Sequence, residues 1–523
     1  MTTERRPNLH RLLQGAALAV LASLAAGSAA AATCEDLKGV KLKDGVVESA
    51  APTAATDSIA LGGALPGLPA PAAFCRVKVR LKPAAGSDIG VEVWLPERSA
   101  WNGKFLGAGN GGYGGSFMGP FIMMRGGVAK GYAAAGTDMG HTGKRDTDAS
   151  WALGQPEKIK DFGYRANHLT AGAAKTLIAA YYGAGPRLSY FHGCSDGGRE
   201  ALMEAHRFPG DYDAIIAGAP AVPWTKLMSA FAWNAQTIAA GPIPTAKLAV
   251  VQNAVMAQCD QLDGLADGVL ENPAACRFDP GVLQCKAGDA ADCLTPGELA
   301  SLRRIYAGPS TRAGVSIYPG FPVGGEAIPG AWDTWITQAD GQHAKFSTEF
   351  FRAMVFDDPN WNLSAFDLER DFKAAQARQG ATLDPGDPDL RAFKARGGKL
   401  ILYHGWADAA IPAQSTIDYY KALEAKTGGD FVRLFMLPGM SHCLGGPGPN
   451  VFDALGTLDA WRAGGPAPEQ VIATKFDNDL FGFLGFPATP VRTRPICAYP
   501  QVARWDGKGS TDDAGAFACV AAR

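Results

Sequence analysis

Ser195, Asp408 and His442 are the residues whose types and order suit covalent chemistry in this chain. Ser195 is the centre of Gly193-Cys194-Ser195-Asp196-Gly197, a G-x-S-x-G pattern. The apolar run Ser189-Tyr190-Phe191 precedes it and a helical stretch follows. A strand-to-helix turn that sharp strains its central residue and leaves no room for neighbouring Cβ atoms, hence the flanking glycines. It lifts the hydroxyl above the strand end, at a helix N-terminus whose amides and dipole favour a developing oxyanion. A hydroxyl is a weak nucleophile until a base takes its proton, and that base needs an acid to hold its tautomer. Asp408 lies in His404-Gly405-Trp406-Ala407-Asp408, and His442 in Pro438-Gly439-Met440-Ser441-His442-Cys443. Each follows a short apolar run, so each falls in a loop at a strand end. The order nucleophile, acid, base points to acyl transfer through a serine intermediate. The plainer readings are a helix N-cap for Asp408 and a solvated loop histidine for His442.

The elements that must position these residues follow from periodicity. Val77, Val79 and Leu81, then Val91, Val93 and Leu95, alternate as an antiparallel strand pair. Trp101-Asn102-Gly103-Lys104-Phe105-Leu106 leads into a strand that ends in the glycine-rich stretch Gly107 to Gly115. That stretch lacks the Lys-Ser/Thr of a phosphate-binding loop; it reads as the source of an oxyanion-hole amide, or as a plain flexible turn. Residues 131–137 form a further strand, 164–182 a helix, and 212–218 the strand after the serine turn. The alternation predicts a mainly parallel sheet with helices on its faces. Strand signals fade between residues 222 and 389 and resume at Lys399-Leu400-Ile401-Leu402-Tyr403. The expected class is α/β, an α/β-hydrolase fold with a large inserted lid domain. Residues 33–221 and 390–523 supply the two parts of the hydrolase domain and 222–389 the lid. His404 precedes the acid and is expected to line the pocket.

Composition bounds the partners. Of 523 residues, 47% are hydrophobic and 19% charged, with a net charge of -2 and no charged block, which gives no sign of a nucleic acid or membrane partner. Arg5, Arg6 and Arg11 precede an apolar run from Leu12 to Ala26 and the small residues Ala30-Ala31-Ala32. Residues 1–32 read as a secretory signal peptide; the run is shorter than the ~20 residues of a membrane span. A secreted or periplasmic protein with ten cysteines is expected to form disulfides. Proximity suggests Cys34–Cys75, Cys259–Cys276, Cys285–Cys293 and Cys497–Cys519, leaving Cys194 with Cys443. That last bridge would tie the serine turn to the histidine loop. The rival, Cys194 as nucleophile, conflicts with Ser195 holding the central position of the turn.

The pairs Cys194-Ser195 and His442-Cys443, with Asp408 between them in sequence, resemble the Cys-Ser, Asp, His-Cys signature of the tannase and feruloyl esterase family, which includes mono(2-hydroxyethyl) terephthalate hydrolase. The resemblance extends to Trp101-Asn102-Gly103, Phe208-Pro209 and Arg492-Thr493-Arg494-Pro495. It implies Ser195 as nucleophile, His442 as base, Asp408 as its orienter, and oxyanion amides from Asp196 and from Asn110 or Gly111. It also implies a structural calcium in the lid, held by Asp260, Asp263 and Asp267 side chains and the Leu265 and Val269 carbonyls. Three carboxylates within a short glycine-separated loop suit a hard cation; the plain reading is a solvated acidic loop. Trp332, Trp335, Phe346 and Phe350 either stack on an aromatic acyl group or form lid core. The terephthalate half-ester hydrolase uses a lid arginine for the substrate carboxylate, and Gln342 stands there in this chain, with Arg352 as a possible replacement. The expected function is a secreted serine esterase acting on small aromatic esters of the feruloyl or galloyl type. The alternatives are a terephthalate half-ester hydrolase, a general exported esterase or peptidase, and a non-catalytic binding protein on the same scaffold.

Overall fold

The structure is a computed structural model that describes residues 32–60 and 67–522. The expected signal peptide therefore lies outside the described residues, apart from Ala32. Nine strands form one sheet: β1 (Gly45–Thr53), β2 (Phe74–Leu81), β3 (Ile89–Pro96), β4 (Lys104–Ala108), β5 (Ala133–Thr137), β6 (Leu188–Cys194), β7 (Ala214–Gly218), β8 (Lys399–Gly405) and β9 (Val432–Leu437). Their order is β1-β2-β3-β5-β4-β6-β7-β8-β9.

The sheet is more mixed than the alternation predicts. From β1 through β5 the neighbours β1/β2, β2/β3 and β3/β5 are antiparallel. From β5 to β9 every pair is parallel. Every residue of β5 and β7 is buried, as expected of strands covered on both faces. Side chains alternate between two cores: Phe105 and Phe191 face one side, Leu106 and Tyr190 the other. The segment before Cys75 holds β1, which edges the sheet and slips register between Val47 and Ser49.

The connections after β4 and β6 leave neighbouring strands in the middle of the sheet. Their loops therefore meet above the carboxyl edge, where open α/β sheets place their sites. The first becomes the glycine loop. The second turns at Ser195 into helix α1 (Asp196–Arg207). Among the described residues, the segment between β7 and β8 holds no named strand. It is built from helices including Trp224–Ala240, Thr245–Cys259, Pro296–Ala307 and Gln342–Glu349. Part of it packs on a second core, around Leu248, Leu302 and Trp332, which Ala407 and Ala409 after β8 also join. All five expected cysteine pairs are bonded.

Candidate active site

Ser195 sits at φ 66°, ψ -122°, a conformation L-residues rarely adopt. The turn is closed on the inside. A Cβ on Gly193 would lie 2.3 Å from the Gly197 carbonyl oxygen, and one on Gly197 2.7 Å from that of Asn110. The Ser195 amide donates to Gly218 at 3.0 Å, locking the strained residue to β7.

His442 follows β9 and Asp408 follows β8. The Ser195 hydroxyl donates to His442 Nε2 at 2.9 Å, and His442 Nδ1 donates to Asp408 Oδ2 at 2.8 Å. Asp408 Oδ1 accepts the Ala410 and Ile411 amides at 2.8 and 2.9 Å, which fixes the carboxylate plane. Burial by itself would raise the Asp408 carboxyl; the His442 ring and hydrogen bonds from His404 and His442 outweigh it and hold the group below the usual carboxylate range. An acid that stays ionised can stabilise an imidazolium beside it. Cys194 and Cys443, bonded with Cα atoms 6.1 Å apart, flank Ser195 and His442 directly.

Several expected site residues stand elsewhere. The Asn110 amide is not available to a substrate: it donates to Glu200 Oε2 at 3.0 Å. Among the described residues, no protein acceptor engages the amides of Gly111, Gly112 or Asp196, so Gly111 and Asp196 remain open donors beside Ser195. His404 does not line the pocket. It is buried behind the acid, its Nδ1 accepting from the Thr416 hydroxyl at 2.7 Å and its Nε2 donating to the Ile411 carbonyl at 3.0 Å, 3.1 Å from Asp408 Oδ2. Trp332 packs edge-on against Tyr306 and Phe321, away from Ser195. Phe350 is wholly buried against Phe351. Arg352 pairs with Glu349 on its own segment, and neither it nor Gln342 lines the cavity at Ser195.

Trp335 and Phe346 do reach the site. Their rings are parallel within 3° at 6.0 Å, and Trp335 meets His442 edge-on at 5.3 Å. Both line a cavity of about 550 Å³ that also takes in Gly111, Ser195, His442, Lys144 and Arg145. A small apolar slot that shares Ser195, Trp335 and Phe346 with it is walled by Met228, Phe231 and Ile411. Periodicity in Trp224–Ala240 marks Leu227, Met228 and Phe231 only as one helix face, with nothing to distinguish slot from core. The Tyr113 hydroxyl, from the glycine loop, donates to the Phe346 carbonyl at 2.7 Å and joins the two walls.

In the lid loop, Asp263 accepts the Leu265 and Glu271 amides, Asp260 Oδ2 the Gly268 amide, and Asp267 Oδ1 the Val269 amide. Asp267 Oδ2 meets Arg494 at 2.9 Å and Arg492 at 3.3 Å. Asp260 Oδ1 is buried without a partner. Burial first, then the charges of Asp267 and Asp260, raise the Asp263 carboxyl. The all-oxygen donor set and the orphaned Asp260 oxygen fit a hard cation in chemistry. The side chains as placed do not converge: among the described residues no group of three His, Cys, Asp or Glu is arranged to hold a metal ion.

The tannase and feruloyl esterase family profile matches residues 75–520. An uncharacterized esterase of Xanthomonas campestris pv. campestris is 38% identical, over 96% of this chain and 94% of its own. The mono(2-hydroxyethyl) terephthalate hydrolase of Piscinibacter sakaiensis is 33% identical, over 94% and 92%. The crystal structure of feruloyl esterase B from Aspergillus oryzae superposes with a TM-score of 0.83 at 28% identity, covering 93% of this chain and 99% of that one. With its mixed sheet, the helical segment between β7 and β8 and this degree of likeness along nearly its whole length, the chain belongs to the tannase and feruloyl esterase family and is a carboxylic ester hydrolase of α/β-hydrolase fold.

Proposed function

We propose that this protein is a secreted serine esterase that cleaves esters of aromatic acids, of the feruloyl or galloyl type, through an acyl-enzyme on Ser195. The observation that carries the reading is the unbroken chain Ser195 Oγ, His442, Asp408, with contacts of 2.9 and 2.8 Å. Ser195 Oγ attacks the ester carbonyl while its proton passes to His442 Nε2. The imidazolium is stabilised by Asp408. Charge on the former carbonyl oxygen gathers at the Gly111 and Asp196 amides. Collapse expels the alcohol, which takes the proton from His442. Water, deprotonated by His442, then releases the acid and restores Ser195. The parallel rings of Trp335 and Phe346 on the wall of the cavity of about 550 Å³ at Ser195 support an aromatic acyl group. Five disulfides support folding in an oxidising compartment.

The test is turnover of methyl ferulate, methyl gallate, mono(2-hydroxyethyl) terephthalate and p-nitrophenyl butyrate by the protein and by Ser195→Ala. Strong turnover of one aromatic ester, abolished in the variant, is expected. Butyrate turnover alone refutes the aromatic acyl site, and activity retained in Ser195→Ala refutes the nucleophile. Lys144 and Arg145 on the cavity wall favour one second reading, a half-ester with a free carboxylate. In that case the terephthalate half-ester leads the panel and Arg145→Ala raises its KM selectively.

We also infer a structural calcium at the 259–269 loop, which Asp260, Asp263 and Asp267 and the Leu265 and Val269 carbonyls would hold. The orphaned Asp260 oxygen supports it. Metal analysis of dialysed protein should find about one calcium per chain, and chelation should lower the melting temperature. Absence of calcium after purification in calcium-containing buffer counts against it.

A further inference from the structure

Glu200 lies one turn into helix α1 and is only 2% exposed. Its Oε2 holds the Asn110 amide. Its Oε1 is buried with no partner, and so is Oδ2 of Asp196 on the same helix. The other Asp196 oxygen takes Arg199 Nε at 2.6 Å, and the rest of that guanidinium is spent on the Gly163 and Phe162 carbonyls. The charge of this buried cluster therefore turns on a single proton. With Glu200 ionised, two carboxylates face one guanidinium and a net negative charge sits under the place where an oxyanion would form. With Glu200 protonated the cluster is neutral, and a proton on Oε1 can serve Asp196 Oδ2, which gives both orphaned oxygens a partner. Burial and the neighbouring Asp196 charge push the Glu200 carboxyl well above its ordinary range.

We propose that Glu200 is a neutral carboxylic acid that acts as the positioning residue of the oxyanion hole. It ties the glycine loop to the serine turn and keeps negative charge away from both. This rests on the reading of Ser195 as nucleophile. The geometry explains why one residue suffices. Asn110 is clamped at three points: its amide by Glu200, its carbonyl by the Gly197 amide at 3.0 Å, and its side chain by the Thr137 carbonyl at 3.1 Å. Gly111, next in the chain, inherits its place from that clamp, and Asp196 belongs to the other half of it. Oxyanion donors act only when held within a few tenths of an ångström of the developing charge.

The test compares Glu200→Gln and Glu200→Asp in the full chain, using kcat and KM on p-nitrophenyl butyrate and the affinity of phenylboronic acid, which forms a tetrahedral adduct on a serine. Glutamine offers Asn110 an acceptor and Asp196 a donor, the pattern of the neutral acid. Aspartate is one methylene shorter and cannot reach Asn110 without moving the helix. E200Q should keep kcat within about threefold. E200D should lose about 30-fold or more in kcat with KM within twofold, and boronate affinity should fall in parallel, since a whole oxyanion donor is worth ~10²–10³. An E200Q loss as deep as that of E200D overturns the proposal, because a charge would then be required. Wild-type turnover in E200D overturns it as well. If E200D does not fold, E200Q decides alone: retained kcat supports the neutral acid and lost kcat overturns it. Ser195→Ala is run alongside; activity surviving there overturns the nucleophile reading whatever Glu200 does.

Discussion

Removing the Cys194–Cys443 bridge should damage stability and turnover by separable amounts. The bond closes a sequence separation of 249 residues. Chain entropy over such a loop is about 18 cal/mol/K, or about 5 kcal/mol at 25 °C. Cys259–Cys276 and Cys285–Cys293 lie inside the loop and shorten it by roughly a tenth, which changes little because the dependence is logarithmic. At about 2.1 cal/mol/K per residue, a chain of this size unfolds with an entropy of about 1 kcal/mol/K, so the loss appears as a melting shift of about 5 °C. The kinetic effect has a different origin. The two half-cystines adjoin Ser195 and His442, whose reacting atoms are 2.9 Å apart. A displacement of about 1 Å there costs on the order of 100-fold. The double variant Cys194→Ala/Cys443→Ala, which leaves no odd thiol, should melt about 5 °C lower and lose about 10- to 100-fold in kcat with KM little changed. Thermal melting and p-nitrophenyl butyrate kinetics read both. Unchanged kcat beside a lowered melting point would refute the claim that the bridge holds the serine and histidine in register; unchanged values of both would refute the whole argument.

Asp408→Asn should keep the fold but lower kcat by ~10⁴, because the amide cannot hold His442 in the required tautomer; a loss under tenfold would show that Asp408 is not the orienting acid. Trp335→Ala should raise KM for methyl ferulate several-fold and barely affect p-nitrophenyl butyrate, and an equal effect on both would argue that the ring is only packing. His343 stacks on Phe231 at 3.9 Å and is wholly buried, which lowers its pKa to about 3 from the ordinary 6.5. Because the folded value is depressed, its neutral form supports the fold above pH 6.5, and that support is lost as pH falls from 6.5 towards 3. Melting curves of the protein should therefore fall across that window and do so less steeply in His343→Gln; parallel curves would contradict the assignment.

How far the site could be read from sequence depended on whether an answer needed a distant contact. Ser195, Asp408 and His442 were legible because each sits next to a strand end, and local patterning finds strand ends. The four short-range cystines were legible for the same reason, and they left Cys194 and Cys443 for each other. Asn110 and Gly111 could not be told apart, because the choice is made by Glu200, 90 positions further along the chain. The lid aromatics divided in the same way: a helix stripe shows that Trp332 and Trp335 are apolar, but only packing against Phe321 or His442 shows which core each faces. His404 looked like a pocket residue from its place beside the acid, yet its strand turns the ring inward to Thr416. Strand β1 is not legible by alternation, which breaks at the slip after Val47.

The bond from the Tyr113 hydroxyl to the Phe346 carbonyl makes one rigid corner of two parts that enzymes often keep separate. The Phe346 ring, proposed above to seat the acyl group, and the loop that carries the Gly111 amide cannot shift independently without stranding a buried phenol. On the proposed reading, an ester that seats poorly on Phe346 would also disturb the Gly111 amide. Discrimination between acyl groups is then expressed in turnover as much as in affinity, so a poor substrate occupies the cleft as a slow guest.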